Sequence, residues 1–147
     1  ESVRAIREAV IVVIGPGSLY TSIIPNFLVS GIADAVRQSR ALKIYVLNIM
    51  TQDGETDGYD ADDHVRAILE HAGPGVMDVC IANDAPVPPE IMEPYAKEGR
   101  SCAVCPSTGS WKPPQSCTAF CSTATRLPRI LSASRQSRAI WLSACRA

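Results

Sequence analysis

Val10-Ile11-Val12-Val13-Ile14-Gly15 is a continuous apolar run, rich in β-branched residues and closed by a glycine. A strand buried on both faces of a parallel sheet reads this way, because neither face has to offer polar groups to water. The pattern recurs at Lys43-Ile44-Tyr45-Val46-Leu47-Asn48 and at Val76-Met77-Asp78-Val79-Cys80-Ile81-Ala82, each time followed by polar or turn-forming residues. Strands are therefore expected at 10–14, 43–48 and 77–82. Their spacing leaves room for a crossover helix between successive strands.

The intervening segments have helical periodicity. Ile32, Ala35 and Val36 follow Gly31 at helical spacing, and Val65, Ile68, Leu69 and Ala72 repeat as i, i+3, i+4, i+7. The second of these helices has a defined start and stop. Asp60 is placed to cap it, Asp62 and Asp63 put negative charge in its first turn, and Gly73-Pro74 ends it. Another helix is expected to open at Pro88-Pro89-Glu90 and run to Ala96, since proline is tolerated in a first turn. The order βαβαβα predicts an α/β layer fold with right-handed crossovers. An open sheet of three parallel strands leaves two edges unpaired and needs cover on both faces. Residues 1–100 are accordingly expected to be a fragment of a Rossmann-like doubly wound parallel sheet.

The whole chain has 147 residues, 46% of them hydrophobic, with 14 basic against 15 acidic side chains. Such a balance excludes a strongly basic nucleic-acid binder by net charge. No stretch approaches the roughly 18 apolar residues of a membrane span, and Glu1-Ser2-Val3-Arg4 lacks the basic start and apolar run of a signal peptide. The expectation is a cytoplasmic protein with neither nucleic acid nor membrane as partner.

Charge divides the chain. Residues 1–100 hold all 15 acidic residues and 8 basic ones, a net of −7, whereas residues 101–147 hold 6 basic residues and no acid. Five of the six cysteines and both tryptophans also fall after residue 100. The two segments are read as separate units.

Ligands of open parallel sheets bind outside the carboxyl ends of the strands, which directs attention to loops 15–26, 49–60 and 83–88. In the first, Gly15-Pro16-Gly17-Ser18-Leu19-Tyr20-Thr21-Ser22 leaves a buried strand through two glycines and enters a short helix. Free N–H groups and hydroxyls there suit a phosphate; equally, the glycines serve a turn that only reverses the chain. The segment is neither G-x-G-x-x-G nor a Walker loop. Asn26 carries an amide able to read a base, sugar or carboxylate edge, or to cap the next helix.

In the second loop, Asp53, Glu55, Asp57 and Gly58 occupy EF-hand positions 1, 3, 5 and 6. An EF-hand is excluded on three counts: position 12 is His64, position 3 is Glu, and the preceding segment reads as a strand. The alternatives are a solvated loop leading into a helix and a divalent cation bridging these carboxylates to a ligand's phosphates. His64 and His71 stand seven apart, two helical turns, where zinc pairs use one turn. No hydrolase elbow or Cys–His dyad is present.

Ile14-Gly15-Pro16-Gly17-Ser18-Leu19-Tyr20-Thr21-Ser22-Ile23-Ile24-Pro25-Asn26, followed by Asn48-Ile49-Met50-Thr51-Gln52-Asp53-Gly54-Glu55-Thr56-Asp57-Gly58-Tyr59 and Asp63-His64-Val65, closely resembles the bacterial gluconeogenesis factor (YvcK-like) family. That family is related to the CofD group of 2-phospho-L-lactate transferases, and the resemblance covers residues 1–100. It implies a Rossmann-like protein that binds UDP-sugars such as UDP-N-acetylglucosamine and serves cell shape and wall synthesis during gluconeogenic growth. A regulator that binds its ligand is implied over a catalyst; the enzymatic alternative is a CofD-like transferase moving a phospholactyl group from a nucleotide-activated donor to a flavin-like acceptor. By the same resemblance Gly15, Gly17, Ser18, Thr21, Ser22 and Asn26 lie at the ligand site, and Thr51, Gln52, Glu55 and Thr56 border its cleft. The N-terminal half of the family domain, with its glycine-rich nucleotide loop, is expected to be absent. Arg126-Leu127-Pro128-Arg129 does not match the family's Arg-His-Asp-Pro-like segment.

The last segment has another character. The resemblance persists through Ala96-Lys97-Glu98-Gly99 and then stops abruptly. Residues 101–147 are rich in Arg, Ser, Ala, Pro, Cys and Trp, as expected of GC-rich codons read out of frame. They are thus expected to be a frameshifted tail, disordered or irregular, with a weak basic helix over 130–145. Cys102-x2-Cys105 and Cys117-x3-Cys121 have the spacing of a zinc-binding interaction module, the third functional alternative. On the frameshift account these pairs are accidental and no metal is bound.

Overall fold

The computed structural model describes residues 1–83, 87–101, 119–121 and 139–142, the last two stretches by their backbone. The three expected strands form as β1 (Ile11–Ile14), β2 (Leu42–Val46) and β3 (Val79–Ile81). Both pairings are parallel, with Ile11 opposite Leu42 and Ile44 opposite Val79. All four residues of β1 are buried, as its unbroken apolar run requires.

Five α-helices accompany them. α1 (Ser2–Glu8) precedes β1, α2 (Ile24–Leu28) and α3 (Ile32–Gln38) lie between β1 and β2, α4 (Ala61–Ala72) joins β2 to β3, and α5 (Pro89–Lys97) follows β3. A π-helical turn, Leu19–Ile23, leads into α2.

α4 starts as its sequence dictates. The Asp60 carboxylate accepts the N–H groups of Asp62 and Asp63 at 2.8 and 3.0 Å, while Asp63 Oδ2 accepts the Asp60 N–H at 3.1 Å. The reciprocal pair satisfies donors that a helix start otherwise leaves unpaired. The helix buries Val65, Ala67, Ile68 and Ala72, and complete burial of a side chain such as Ile68 is worth roughly 1.5–3 kcal/mol. Gly73 then departs with φ +80°.

The strands' alternation sorts the core into two layers. Val12, Ile14, Tyr45 and Cys80 join one cluster with Ile6 of α1, Phe27 of α2, Val36 of α3 and Ile68 of α4. Ile11, Val13 and Ile44 form a second cluster on the opposite pleat. The helices before and between the first three strands therefore gather on one face. Successive crossovers of one hand, stepping in one direction across a sheet, give this arrangement. Within it Lys43 and Asp78 clasp β2 to the entrance of β3. The Lys43 N–H donates to Asp78 Oδ2 at 2.9 Å, the Asp78 N–H returns to the Lys43 carbonyl at 2.9 Å, and Lys43 Nζ lies 3.2 Å from Asp78 Oδ2.

The sheet is wider than the three strands expected from the sequence. β4 (Ala119–Cys121) pairs in parallel with β3, and β5 (Ala139–Leu142) pairs in parallel with β1, giving the order β4-β3-β2-β1-β5. The weak helix expected over 130–145 is corrected at 139–142, which is a strand. Ala139-Ile140-Trp141-Leu142 is four apolar residues, too short to carry a helical period, and the open edge of β1 supplies the hydrogen-bonding partners that a strand needs. The irregular tail expected after residue 100 is likewise corrected at 119–121, a strand whose last residue is Cys121; Cys102, Cys105 and Cys117 lie outside the described residues.

Candidate functional site

The loops after β1 and β2 meet at the carboxyl end of the sheet. Gly15 turns out of β1 with φ +80°, and a Cβ added there would stand 2.7 Å from the Val46 carbonyl oxygen, so close approach of the backbones demands glycine. The Gly17 N–H donates to Asn48 Oδ1 at 2.9 Å, and Asn48 Nδ2 donates back to the Gly17 carbonyl at 2.9 Å. The carbonyl of Ser18 accepts from Ser22 and Ile23, both at 2.9 Å, which winds the first turn wide. The Ser18 hydroxyl makes no capping bond. Thr21 is exposed and Ser22 half-buried on that turn. Asn26 Nδ2 donates to the Ser22 carbonyl, so its amide is engaged by the π-helical turn that precedes α2.

The second loop is more tightly folded on itself. Thr51 is 1% exposed; its N–H and hydroxyl engage Ser101, with 2.8 Å from the Thr51 N–H to the Ser101 carbonyl. The Ser101 N–H donates in return to Thr51 Oγ1 at 2.9 Å. Thr56 is 2% exposed and its hydroxyl accepts the Gln52 N–H at 2.8 Å. The Gln52 carbonyl accepts from Glu55 and Thr56. Thr51 and Thr56 thus hold the loop's shape.

Between the loops runs a groove of about 300 Å³, walled by Tyr20, Asp57, Tyr59, Asp63, Arg66 and Glu70. The Tyr20 and Tyr59 hydroxyls are 2.9 Å apart, and their rings meet edge to face at 6.4 Å. The hydrogen bond to Tyr59, burial, and the charges of Tyr59, Glu70 and Glu55 push the Tyr20 phenol up to about 12. Arg66 Nη2 reaches Asp62 at 2.8 Å and Asp63 at 3.1 Å, so the groove's cation is held on its acidic rim.

Of the ten expected site residues, the structure brings Gly15, Gly17, Ser18 and Ser22 to the loop junction, and none of the ten is among the groove's walls. Tyr20, Tyr59, Arg66 and Glu70 are not marked as site residues by the sequence. Tyr20 and Tyr59 each follow a strand end in the loops already singled out, but nothing in the sequence pairs them; Arg66 and Glu70 look like ordinary solvated residues of an amphipathic helix.

His64 is 2% exposed, donates from Nδ1 to the Asp60 carbonyl at 2.8 Å and packs against Tyr59. It supports the loop and is closed to ligand. Among the described residues no group of three or more His, Cys, Asp or Glu side chains is arranged to hold a metal ion. No single helix among them is long and apolar enough to cross a membrane.

Comparison with known proteins agrees with this architecture. The family described as 2-phospho-L-lactate transferase CofD matches residues 1–109. A gluconeogenesis factor of Halalkalibacterium halodurans is 52% identical over 98 residues, 67% of this chain and 30% of that protein. One of Bacillus subtilis is 48% identical over 98 residues, 67% of this chain and 31% of that protein. A crystal structure of a UPF0052 family member from Bacillus halodurans superimposes with a TM-score of 0.69 at 37% identity, covering 95% of this chain and 38% of that one. The chain spans about a third of the length of these relatives. With the matched family spanning residues 1–109 and relatives of this similarity, the chain belongs to the CofD family, alongside the gluconeogenesis factors.

Proposed function

We propose that this chain forms part of a UDP-sugar site, with UDP-N-acetylglucosamine as the representative ligand, in a cytoplasmic regulator of cell shape and wall synthesis during gluconeogenic growth. One observation carries the reading. β1 lies where the strand order changes direction, with β2, β3 and β4 on one side and β5 on the other. In open α/β sheets the crevice beside such a point, outside the carboxyl ends of the strands, is where nucleotides bind. The Gly15–Ser22 segment opens there, fixed by Asn48. The Gly17, Ser22 and Ile23 N–H groups are engaged within the loop junction, and the Ser18 hydroxyl, which makes no capping bond, supports the diphosphate reading.

Gly15, Gly17, Ser18, Thr21, Ser22 and Asn26 are assigned to the diphosphate and the base. On this reading Gln52 and Glu55 border the second side of the site, while the buried Thr51 and Thr56 hold that loop in place. A divalent cation accompanying the phosphates is compatible with the acidic loop but is not needed for the assignment.

The test is calorimetric titration of the protein with UDP-N-acetylglucosamine and, separately, with a guanosine nucleotide. Saturable binding of the UDP-sugar alone is expected, weakened about tenfold by Asn26→Ala, or about 1.4 kcal/mol. Preference for the guanosine nucleotide would favour the transferase alternative. Unchanged affinity in Asn26→Ala would remove that residue from the site.

A further inference from the structure

His64 and His71 stand two turns apart on α4 and are joined by a chain of rings. His64 meets Tyr59 edge to face at 5.5 Å, Tyr59 meets Tyr20 at 6.4 Å, and Tyr20 meets His71 at 6.0 Å. Contacts of this geometry are favourable for aromatic side chains. Two helical turns span about 10 Å, so the histidine spacing, too wide for a shared zinc ion, accommodates two rings.

Each tyrosine is fixed to its own loop. Tyr59 stands just before the cap residue Asp60 and packs on His64, the fourth residue of α4. This is the place of a hydrophobic staple, which sets the direction in which a chain enters a helix. The Tyr59 N–H donates to the Thr56 carbonyl at 3.1 Å, which makes the ring continuous with the 51–56 loop. Tyr20 belongs to the π-helical turn, between Ser18 and the Thr21-Ser22 pair. The 2.9 Å bond between the two hydroxyls therefore joins one loop of the proposed site to the other. Asn48 links the same two segments at the strand ends through Gly17, and the tyrosines link them a second time beyond those ends.

Both tyrosines are half-buried and wall the groove. Phenylalanine at either position would keep the ring contacts, so what the hydroxyls add is their mutual bond. Losing that bond leaves the packing in place and frees the two loops relative to each other. A site whose walls are held before ligand arrives avoids an ordering cost that binding otherwise carries. The bond persists through neutral pH, since it and burial push the Tyr20 phenol up to about 12.

We propose that the Tyr20–Tyr59 hydroxyl bond sets the spacing of the two loops that flank the nucleotide-sugar site, both tyrosines acting as positioning residues. The assignment rests on the nucleotide-sugar reading above and adds to it the contact that presets the width of the crevice.

Tyr20→Phe, Tyr59→Phe and the double variant test it in the full chain, by calorimetry with UDP-N-acetylglucosamine set beside thermal melting without ligand. Each single variant is expected to bind about three- to tenfold more weakly while melting close to the wild type. The double variant is expected to bind no more weakly than the singles, because either substitution already breaks the one bond they share. Absorbance titration of the phenols reports the bond itself: the ionisation near pH 12 assigned to Tyr20 should fall toward 10 in Tyr59→Phe. Losses that multiply in the double variant would mean that each hydroxyl meets the ligand separately, and would overturn the proposal. So would unchanged affinity in all three variants, a lower melting temperature with affinity intact, or a Tyr20 ionisation that ignores Tyr59→Phe. Each of these outcomes leaves the nucleotide-sugar reading standing. A wild type that binds no UDP-sugar overturns both.

Discussion

Asn48 closes a two-bond ring on the backbone of Gly17, its Oδ1 accepting the Gly17 N–H and its Nδ2 donating to the Gly17 carbonyl, each at 2.9 Å. A side chain at the end of β2 thereby mimics the pairing of another strand and carries the sheet's order one step into the loop after β1. Asn48→Ala removes both bonds at once. A loss of about 1–3 kcal/mol is expected in urea denaturation, accompanied by weaker UDP-sugar binding. Asn48→Asp sets a second acceptor against the Gly17 carbonyl where the donor stood, so it is expected to lose at least as much as the alanine variant.

Gly15→Ala is expected to be more damaging than its size suggests. The positive φ disfavours any L side chain, and the new Cβ would meet the Val46 carbonyl oxygen at 2.7 Å. Backbone strain of this kind costs on the order of 1–3 kcal/mol before any displacement of β2. The measurement is the denaturation midpoint, and a midpoint within error of the wild type would show that the loop relaxes freely.

Asp60→Ala leaves the N–H groups of Asp62 and Asp63 without their acceptor. About 1 kcal/mol should be lost. Asp60→Asn or Asp60→Ser should recover most of it, because each retains a capping oxygen. Circular dichroism through a thermal scan distinguishes these variants.

Tyr20 is expected to make stability fall in alkali. Its phenol is raised from 10.0 to about 12, first by the hydrogen bond with Tyr59. A group whose pKa is higher folded than unfolded favours folding in its protonated form. The contribution is therefore complete below pH 10 and lost as pH rises toward about 12. Tyr20→Phe should flatten the decline in melting temperature over that window, and an undiminished slope would assign the effect elsewhere.

For the segment after residue 100 the decisive measurement is the nucleotide sequence. One of the other two reading frames is expected to restore an acidic continuation that resembles the longer relatives. If neither does, or if the purified protein carries one equivalent of zinc, the frameshift origin is refuted.

Periodicity makes the central strands and crossover helices legible. β1 can be read because a parallel strand covered on both faces leaves no polar residue in Val10–Ile14 to confuse the pattern. α4 is the clearest helix, with Asp60 and Gly73 marking its ends and an apolar stripe between them. α1 is not legible because its apolar side is supplied chiefly by Val3 and Ile6, too few to establish a period, and only packing buries Ile6. The π-helical turn is also hidden, since its widening depends on one carbonyl, Ser18, accepting from both Ser22 and Ile23.

Local sequence determined the parallel α/β layering, the start of α4 and the glycine turn at the end of β1, since each is fixed by residues a few positions apart: apolar runs, capping carboxylates, a backbone without Cβ. Tertiary structure alone decided the strand order, with 119–121 and 139–142 at the two edges, and the assembly of the groove. Edge pairing is satisfied by any strand-competent backbone, so it is settled by which segments the chain can bring alongside β1 and β3. The groove joins Tyr20 to Tyr59 and Glu70 across the core, and no spacing along the chain encodes a contact made through the packing of α2 against α4.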